Sequence, residues 1–251
     1  MDVIVCVKRV PSTTTRVVIG GDRKSIDPTG VEFLLNPYDE FAVEEALKQR
    51  DAAGGGTVTA VSFGTAEAQK ELRTVLAMGA DAALLLQSAQ APLCDGATTA
   101  RALADAIRGR KFDLLFFGKQ AVDMDQHGVG PAVATLLGVP CISEVVHLEV
   151  KDGKVTAHRE VEGAHEIVEA PLPCAVTAQK GLNEPRYATL KGIMAAKKKP
   201  LDVVDASVGE PLVEIVEMKM PPPRAAGKMV GEGPEAVPAL VQLLKHEAKV
   251  L

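Results

Sequence analysis

The sequence is poor in aromatic residues: it has no tryptophan, two tyrosines and six phenylalanines, which together make up 3% of its 251 residues. The hydrophobic fraction is nevertheless 47%, so a core must be built mainly from Val, Leu, Ile and Ala. Aliphatic cores of this kind are common where strands are buried on both faces of a sheet. The length fits one α/β domain, or one domain with an added arm.

Signals for metals, membranes and nucleic acids are also scarce. The four cysteines form no CxxC pair and have no histidine at metal-ligand spacing, so we expect small, buried thiols in a reducing compartment. No apolar run approaches the roughly 20 residues of a membrane helix. The net charge of -5 argues against a nucleic-acid partner. With no leader pattern behind Met1, we expect a cytoplasmic bacterial protein or a processed mitochondrial matrix chain.

Common catalytic motifs are missing as well. There is no GxxxxGK[ST] loop, no GxSxG elbow and no HExxH helix. Gly128-Val129-Gly130 is followed by Val133 where a dinucleotide fingerprint needs glycine. His147, His158 and His165 fall in a segment that we expect at the surface. The sequence therefore predicts a binding protein without catalytic residues.

Short apolar runs alternate with helical stripes over the first part of the chain, which predicts a doubly wound, mostly parallel sheet. The predicted fold is Rossmann-like and adenine-nucleotide-binding. Asn36-Pro37 is expected to start the first helix, with Asn36 as its cap. Segment 11–31 is expected to be a long loop or hairpin. The predicted strands of the sheet are 3–7, 57–63, 82–86, 114–117 and 175–178.

The pattern changes after residue 140. Residues 145–161 predict a β-hairpin around a Lys-Asp-Gly-Lys turn, and 181–200 lack a core pattern. Pro221-Pro222-Pro223 is a stiff spacer before a helix with Val237, Leu240, Val241 and Leu244 on one face. We therefore predict a domain over 1–218, including a recognition loop at 181–200, and an arm over 219–251.

Ligands of doubly wound sheets bind beyond the carboxyl ends of the strands, near the reversal in strand order. Four segments are expected there: 6–9, 36–39, 63–64 and 118–130. The last is glycine-rich and opens a helix, where free backbone N–H groups form a phosphate site. Asp123 and Asp125 fit ribose hydrogen bonding or loop capping better than a metal site. Glycines also occur in such loops for purely conformational reasons, so this interpretation stays open.

The segment Asn183-Glu184-Pro185-Arg186-Tyr187-Ala188-Thr189-Leu190 places an apolar leucine among charged and aromatic residues. It fits either an ordinary crossover or a docking loop with an apolar anchor. This segment resembles the recognition loop of the electron transfer flavoprotein β subunit. Further matching motifs stand in the same order along nearly the whole chain: Val7-Lys8-Arg9-Val10, Ala77-Met78-Gly79-Ala80-Asp81, Gly118-Lys119-Gln120-Ala121, Arg159-Glu160-Val161-Glu162-Gly163 and Pro173-Cys174-Ala175-Val176-Thr177.

The resemblance implies a β subunit that pairs with an α subunit carrying the redox-active FAD and that itself holds a structural AMP. It also implies that Thr13 and Glu160 lie near the FAD of the α subunit. The AMP contacts that it implies are Cys6, Asn36, Pro37, Tyr38, Asp39, Phe63, Gly118, Lys119, Gln120, Ala121, Val122, Asp123, Gln126, His127, Gly128 and Val129.

The resemblance further implies an electron carrier of fatty acid oxidation, without chemistry of its own. Electrons would come from acyl-CoA dehydrogenases and pass to a flavoprotein–quinone oxidoreductase. The residues implied in docking the dehydrogenases are Asn183, Glu184, Pro185, Arg186, Tyr187, Leu190, Ile193 and Met194.

One departure from the family pattern leaves alternatives open. His127-Gly128-Val129 stands where many members have Asn-Gln-Thr, so two side-chain phosphate partners are replaced. Electron-bifurcating members hold a second FAD in this cavity, and their helix begins with a Val-Gly-Pro like 129–131. The alternatives are therefore a bifurcating subunit with a second FAD, or a free nucleotide-binding stress-type module.

Overall fold

A computed structural model describes residues 1–206, 208–224 and 226–251. The chain divides into two compact units, Met1–Met218 and Lys219–Leu251. The first unit contains the sheets, and the second contains a short helix near the C-terminus.

Nine strands of the described residues form one sheet, and a separate antiparallel pair precedes the first helix. In chain order the strands are β1 (Asp2–Cys6), β2 (Arg9–Pro11), β3 (Phe33–Leu35), β4 (Thr57–Gly64), β5 (Ala82–Gln87), β6 (Leu114–Gly118), β7 (Cys141–Lys151), β8 (Lys154–Val161), β9 (Ala164–Pro171), β10 (Cys174–Ala178) and β11 (Leu201–Asp205).

The sheet order is β11-β5-β4-β1-β6-β10-β7-β8-β9. The strands from β11 to β7 are parallel, whereas β7, β8 and β9 form an antiparallel meander. From β1 the chain moves to β4 and β5 on one side and then returns with β6 on the other. The order therefore reverses between β1 and β6, as a doubly wound sheet requires, and the predicted fold class is confirmed.

The first five α-helices lie between strands in sequence, and the sixth follows the last strand. Their bounds are α1 (Pro37–Ala52), α2 (Gln69–Met78), α3 (Gly96–Ile107), α4 (Val129–Leu137), α5 (Leu190–Ala196) and α6 (Val237–His246), with short 3-10 turns at Ala66–Ala68, Ala91–Leu93 and Pro234–Ala236.

The core is split into two clusters by the sheet, because successive side chains of a strand point to opposite faces. Val3 and Val5 of β1 join a cluster that contains Leu47 of α1 and Leu72 of α2. Ile4 joins the other cluster, together with side chains of α3 and α4. Helices therefore cover both faces of the sheet, and the core is mainly aliphatic as predicted.

Two edge strands, β9 and β11, were not predicted from the sequence. β9 follows the predicted hairpin and extends it to a three-stranded meander, but its residues are mostly exposed. β11 pairs with β5 at the opposite edge and is likewise mostly exposed. Neither strand shows the buried alternation that marks a half-buried strand. Segment 11–31 contains one antiparallel bridge, Ile19 with Ile26.

The first helix starts at Pro37, directly after Asn36, as predicted. Asn36 is the N-cap residue of α1, as predicted, but its side chain makes no capping hydrogen bond and instead bonds to Asp39 and to the loop after β6. α3 has a working cap, because the Asp95 carboxylate accepts from Thr98 N at 2.7 Å. It also accepts from the backbone N–H groups of Leu212 and Val213. Burial raises the pKa of Asp95, but the hydrogen bonds from Thr98, Val213 and Leu212 outweigh it and lower the pKa to about 2.

The second unit contains α6 behind the proline spacer. Val237, Leu240 and Val241, three of the residues predicted to share a face, are exposed within this chain. Across the described ranges, no helix combines the length and hydropathy needed to cross a membrane.

Candidate functional site

One carboxylate, that of Asp39, links the chain at the ends of β1 and β6, the two strands between which the sheet order reverses. Asp39, in the first turn of α1, accepts a hydrogen bond from Lys8 N at 2.7 Å, just beyond β1. Its other oxygen accepts from Gly118 N at 3.1 Å, at the end of β6. The N-terminus of α1 is therefore tied to both strands that border the crevice.

Burial raises the pKa of Asp39 to about 7, although hydrogen bonds from Asn36, Lys8 and Gly118 oppose the rise. The approach of Asp39 requires glycine at position 118, because a Cβ there would overlap the Asp39 carboxylate and the Tyr38 backbone. The glycine is thus needed for close packing at the strand end.

Asn36 is fully buried and holds the loop after β6. Its Nδ2 donates to Asp39 Oδ1 at 2.9 Å and to the Gln120 carbonyl at 2.8 Å. Its Oδ1 accepts from Val122 N at 3.1 Å. The amide is therefore occupied by the protein, and it fixes the loop whose backbone borders the crevice.

Charged side chains of the 119–128 loop lie at the same edge. Lys8 Nζ forms an ion pair with Asp123 at 2.7 Å. Lys119 Nζ lies 5.6 Å from the centre of the Tyr38 ring and is 15% exposed. Gln120 and Asp125 contact each other within the loop. The structure thus brings the predicted segments at 36–39 and 118–128 together.

The remaining predicted cofactor contacts, including the two expected near the FAD of the α subunit, are either packed against the core or exposed at the surface. Cys6 is buried in the second core cluster, and burial raises its pKa. Phe63 and Val129 are partly buried against the same cluster. Thr13, in the turn after β2, and Glu160, on β8, are both exposed.

The 183–190 segment is anchored by two carboxylates of α1 that the sequence analysis did not single out. Glu44 holds the Arg186 guanidinium at 2.7 and 2.9 Å, and it also accepts from Arg186 N at 3.1 Å. Glu45 and the Phe41 carbonyl each accept from Asn183 Nδ2 at 3.0 Å. Two of the predicted docking residues are therefore internal anchors.

Beyond these anchors the apolar side chains are exposed. Leu190, which is 77% exposed, lies on the short helix α5 with the exposed Ile193 and Met194, and Tyr187, which is 95% exposed, precedes this helix. We call these four residues the apolar surface of α5. Glu184 is exposed and Pro185 is partly buried.

α5 sits closely on α2. Its cap is Thr189, whose hydroxyl accepts from Gly192 N at 3.0 Å. A Cβ on Gly192 would overlap the Ala77 carbonyl oxygen. Arg73 donates to the carbonyls of Ala196 and Lys199 at 2.7 and 2.8 Å. The sequence pattern does not predict this packing of α5 on α2, because it depends on groups more than 100 residues apart.

The lysine run after α5 is partly structural. Lys199 Nζ donates to the carbonyls of Leu76 and Ala80 at 3.0 and 2.6 Å, so it provides hydrogen bonds to carbonyl groups at the C-terminal end of α2.

A cleft of about 530 Å³ opens between α2 and α5, and its lining includes Lys70 and Arg73. Its described lining residues include none of the predicted nucleotide contacts.

The described residues contain no cluster of three or more His, Cys, Asp or Glu side chains placed to hold a metal. All four cysteines are free: Cys6 and Cys174 are buried, and Cys94 and Cys141 are partly buried. Taken together, the fold and the site define a doubly wound α/β protein with a ligand crevice at the switch point and an anchored, apolar loop at its surface.

Comparison with known proteins makes this class specific. Residues 24–208 match the electron transfer flavoprotein domain. The chain is 41% identical to the electron transfer flavoprotein subunit beta of Bacillus subtilis, with all of both chains covered. It is 38% identical to that of Mus musculus, over 98% of each chain. It is 37% identical to the mitochondrial subunit of Arabidopsis thaliana, over the full length of both chains.

The chain belongs to the family of electron transfer flavoprotein β subunits. As a member it is a subunit of an electron carrier rather than an enzyme, as predicted. A β subunit implies an α partner, and a flavoprotein implies a flavin in the complex. The alternative of a free stress-type module is thereby set aside.

Proposed function

We propose that the crevice between β1 and β6 holds AMP as a structural ligand. The proposal rests on one observation: segments 36–39 and 118–128 come together at the switch point, where doubly wound folds bind nucleotides. The start of α4 supplies backbone N–H groups for a phosphate. The mostly buried Lys119 side chain supplies a positive charge there.

The α subunit carries the FAD in this proposal, and the present chain provides scaffold and contacts. Thr13 and Glu160 are exposed and are proposed to lie near that flavin. Val237, Leu240 and Val241 leave an apolar strip on α6, which supports packing of the 219–251 arm on the α subunit. We further propose a cytoplasmic bacterial setting for the complex.

The apolar surface of α5 is proposed to dock acyl-CoA dehydrogenases, whose electrons then pass through the α-subunit FAD to a flavoprotein–quinone oxidoreductase. Anchored neighbours support this role, since a surface fixed before contact loses less conformational entropy on binding. Leu190 is the most exposed aliphatic side chain of that surface, and Asn183 and Arg186 hold the loop in place.

Replacing Leu190 by alanine tests the docking proposal. Burying a leucine contributes about 1.5–3 kcal/mol, so the apparent KM for the heterodimer in dehydrogenase-coupled electron transfer should rise about 10-fold or more. The flavin absorption spectrum should stay the same. Leu212→Ala is the matched control, because Leu212 is a 66% exposed leucine elsewhere in the first unit. Equal coupling in both variants would refute docking through Leu190.

A bifurcating subunit with a second FAD in the crevice remains the second candidate. The feature that favours it is Val129-Gly130-Pro131 at the start of α4. Counting the nucleotides bound to the complex separates the two candidates.

A further inference from the structure

β7 contains one extra residue where it pairs with β10. Cys141 and Ile142 pair with Ala175 and Val176, but the next partner of β10, Ala178, pairs with Val145. Three steps along β7 thus match two along β10, which is a β-bulge. Bulges turn a side chain away from the regular alternation and recur next to binding sites.

Glu144 lies in this bulge with a φ of 60°. That left-handed conformation is unfavourable for a residue with a Cβ and persists only where its surroundings impose it. One such constraint is visible, because Glu144 N donates to the buried Thr177 Oγ1 at 2.9 Å. The strained backbone directs the carboxylate toward the crevice edge.

The Glu144 carboxylate lies between two side chains of the 119–128 loop. One oxygen is 3.7 Å from His127 Nδ1, and the other is 4.0 Å from Lys119 Nζ. Both distances exceed that of a hydrogen bond. Of the residues that the structure describes, none provides either group with a hydrogen-bonded anion. Lys119 is mostly buried, and Glu144, at 4.0 Å, is the carboxylate that pairs with its ammonium.

We propose that Glu144 is a positioning residue that holds Lys119 and His127 ready for the phosphate of the nucleotide in the crevice. Lys119 brings an ammonium, and His127 donates an N–H in either charge state. Glu144 contacts the two donors rather than the ligand. This inference rests on the proposed AMP site and adds the residue that makes the site selective for a phosphorylated ligand.

Two variants separate positioning from simple structural support. Glu144→Gln keeps the shape and removes the charge. Glu144→Gly removes the side chain and suits the positive φ, since glycine adopts that conformation without penalty. Glu149→Gln, an exposed glutamate on the same strand, is the control. Each variant would be purified as the heterodimer, stripped of nucleotide, and titrated calorimetrically with AMP and with adenosine.

We expect AMP to bind about 10-fold more weakly to both Glu144 variants, because Lys119 and His127 are then less well placed to make charge-assisted contacts with the phosphate, while adenosine binding stays unchanged. Glu144→Gly should melt at the same or a higher temperature than wild type. Unchanged or tighter AMP binding by Glu144→Gln, an equal loss for adenosine, or a destabilised Glu144→Gly would overturn the positioning role. A wild-type heterodimer that binds neither ligand would overturn the AMP site itself, and the inference with it.

Discussion

Replacing Arg186 by alanine should loosen the recognition loop without altering its exposed apolar surface. Arg186 makes a two-pronged contact with Glu44 and donates its backbone N–H to the same carboxylate. The Glu44 side chain is only 7% exposed. Removing the guanidinium therefore leaves a nearly buried carboxylate without its cation.

The expected cost follows from burial. Breaking a fully buried pair by removing one partner costs about 3–5 kcal/mol. The Arg186 side chain is 39% exposed, and water reaching the pair reduces that cost to about 2 kcal/mol. This corresponds to an increase of about 30-fold in the population of open loop. The population of open loop in Arg186→Lys should lie between those of the wild type and Arg186→Ala, because an ammonium cannot form the two-pronged contact.

Hydrogen exchange on the heterodimer measures this directly. The hydrogen-bonded amides of residues 186, 192 and 193 should exchange about 30-fold faster in Arg186→Ala, in proportion to the open population. Arg101→Ala, which removes an exposed arginine of α3, should leave them unchanged. If the loop exchanges at the wild-type rate in Arg186→Ala, the ion pair with Glu44 does not anchor it.

Gly192→Ala should displace α5 from α2, since its Cβ would overlap the Ala77 carbonyl. Electron transfer from the dehydrogenase should fall severalfold in Gly192→Ala. Gly209→Ala, with open space around it, should behave as wild type. Equal electron transfer in the two variants would contradict close packing of α5 on α2. Asp95 has a pKa lowered to about 2 from 3.8, because hydrogen bonds outweigh its partial burial. Its carboxylate therefore stabilises the fold above about pH 4 and loses that effect as the pH falls through 2. In urea unfolding, the wild type should have a larger free energy of unfolding than Asp95→Asn, and this difference should disappear between pH 4 and 2. A difference that stays constant over this range would contradict the stabilising effect of the Asp95 carboxylate.

The central strands could be predicted closely because their sequences carry the cause of their burial. β1 and β6 are short apolar runs bounded by polar or glycine residues, and they lie within one residue of their predicted positions. β9 and β11 could not be predicted in this way. They are edge strands whose positions depend on pairing with a neighbour, and their exposed side chains show no apolar pattern.

The candidate site was predictable where topology alone brings segments together. Segments 36–39 and 118–128 follow from the rule that carboxyl ends of parallel strands share one edge. Glu44 was not predictable, because its partner Arg186 lies 142 residues away. Glu144 depends on a bulge that only the strand register reveals. The resemblance implies that Arg186 is a docking residue, and the structure adds that its guanidinium is hydrogen-bonded to Glu44.

We propose that this chain holds AMP beside a partner that carries the only flavin of the complex. Denaturing the co-purified heterodimer, and identifying and counting the released nucleotides by chromatography, tests this proposal. We expect one FAD and one AMP per heterodimer. Two FAD and no AMP would contradict it and would place a second flavin in the crevice between β1 and β6.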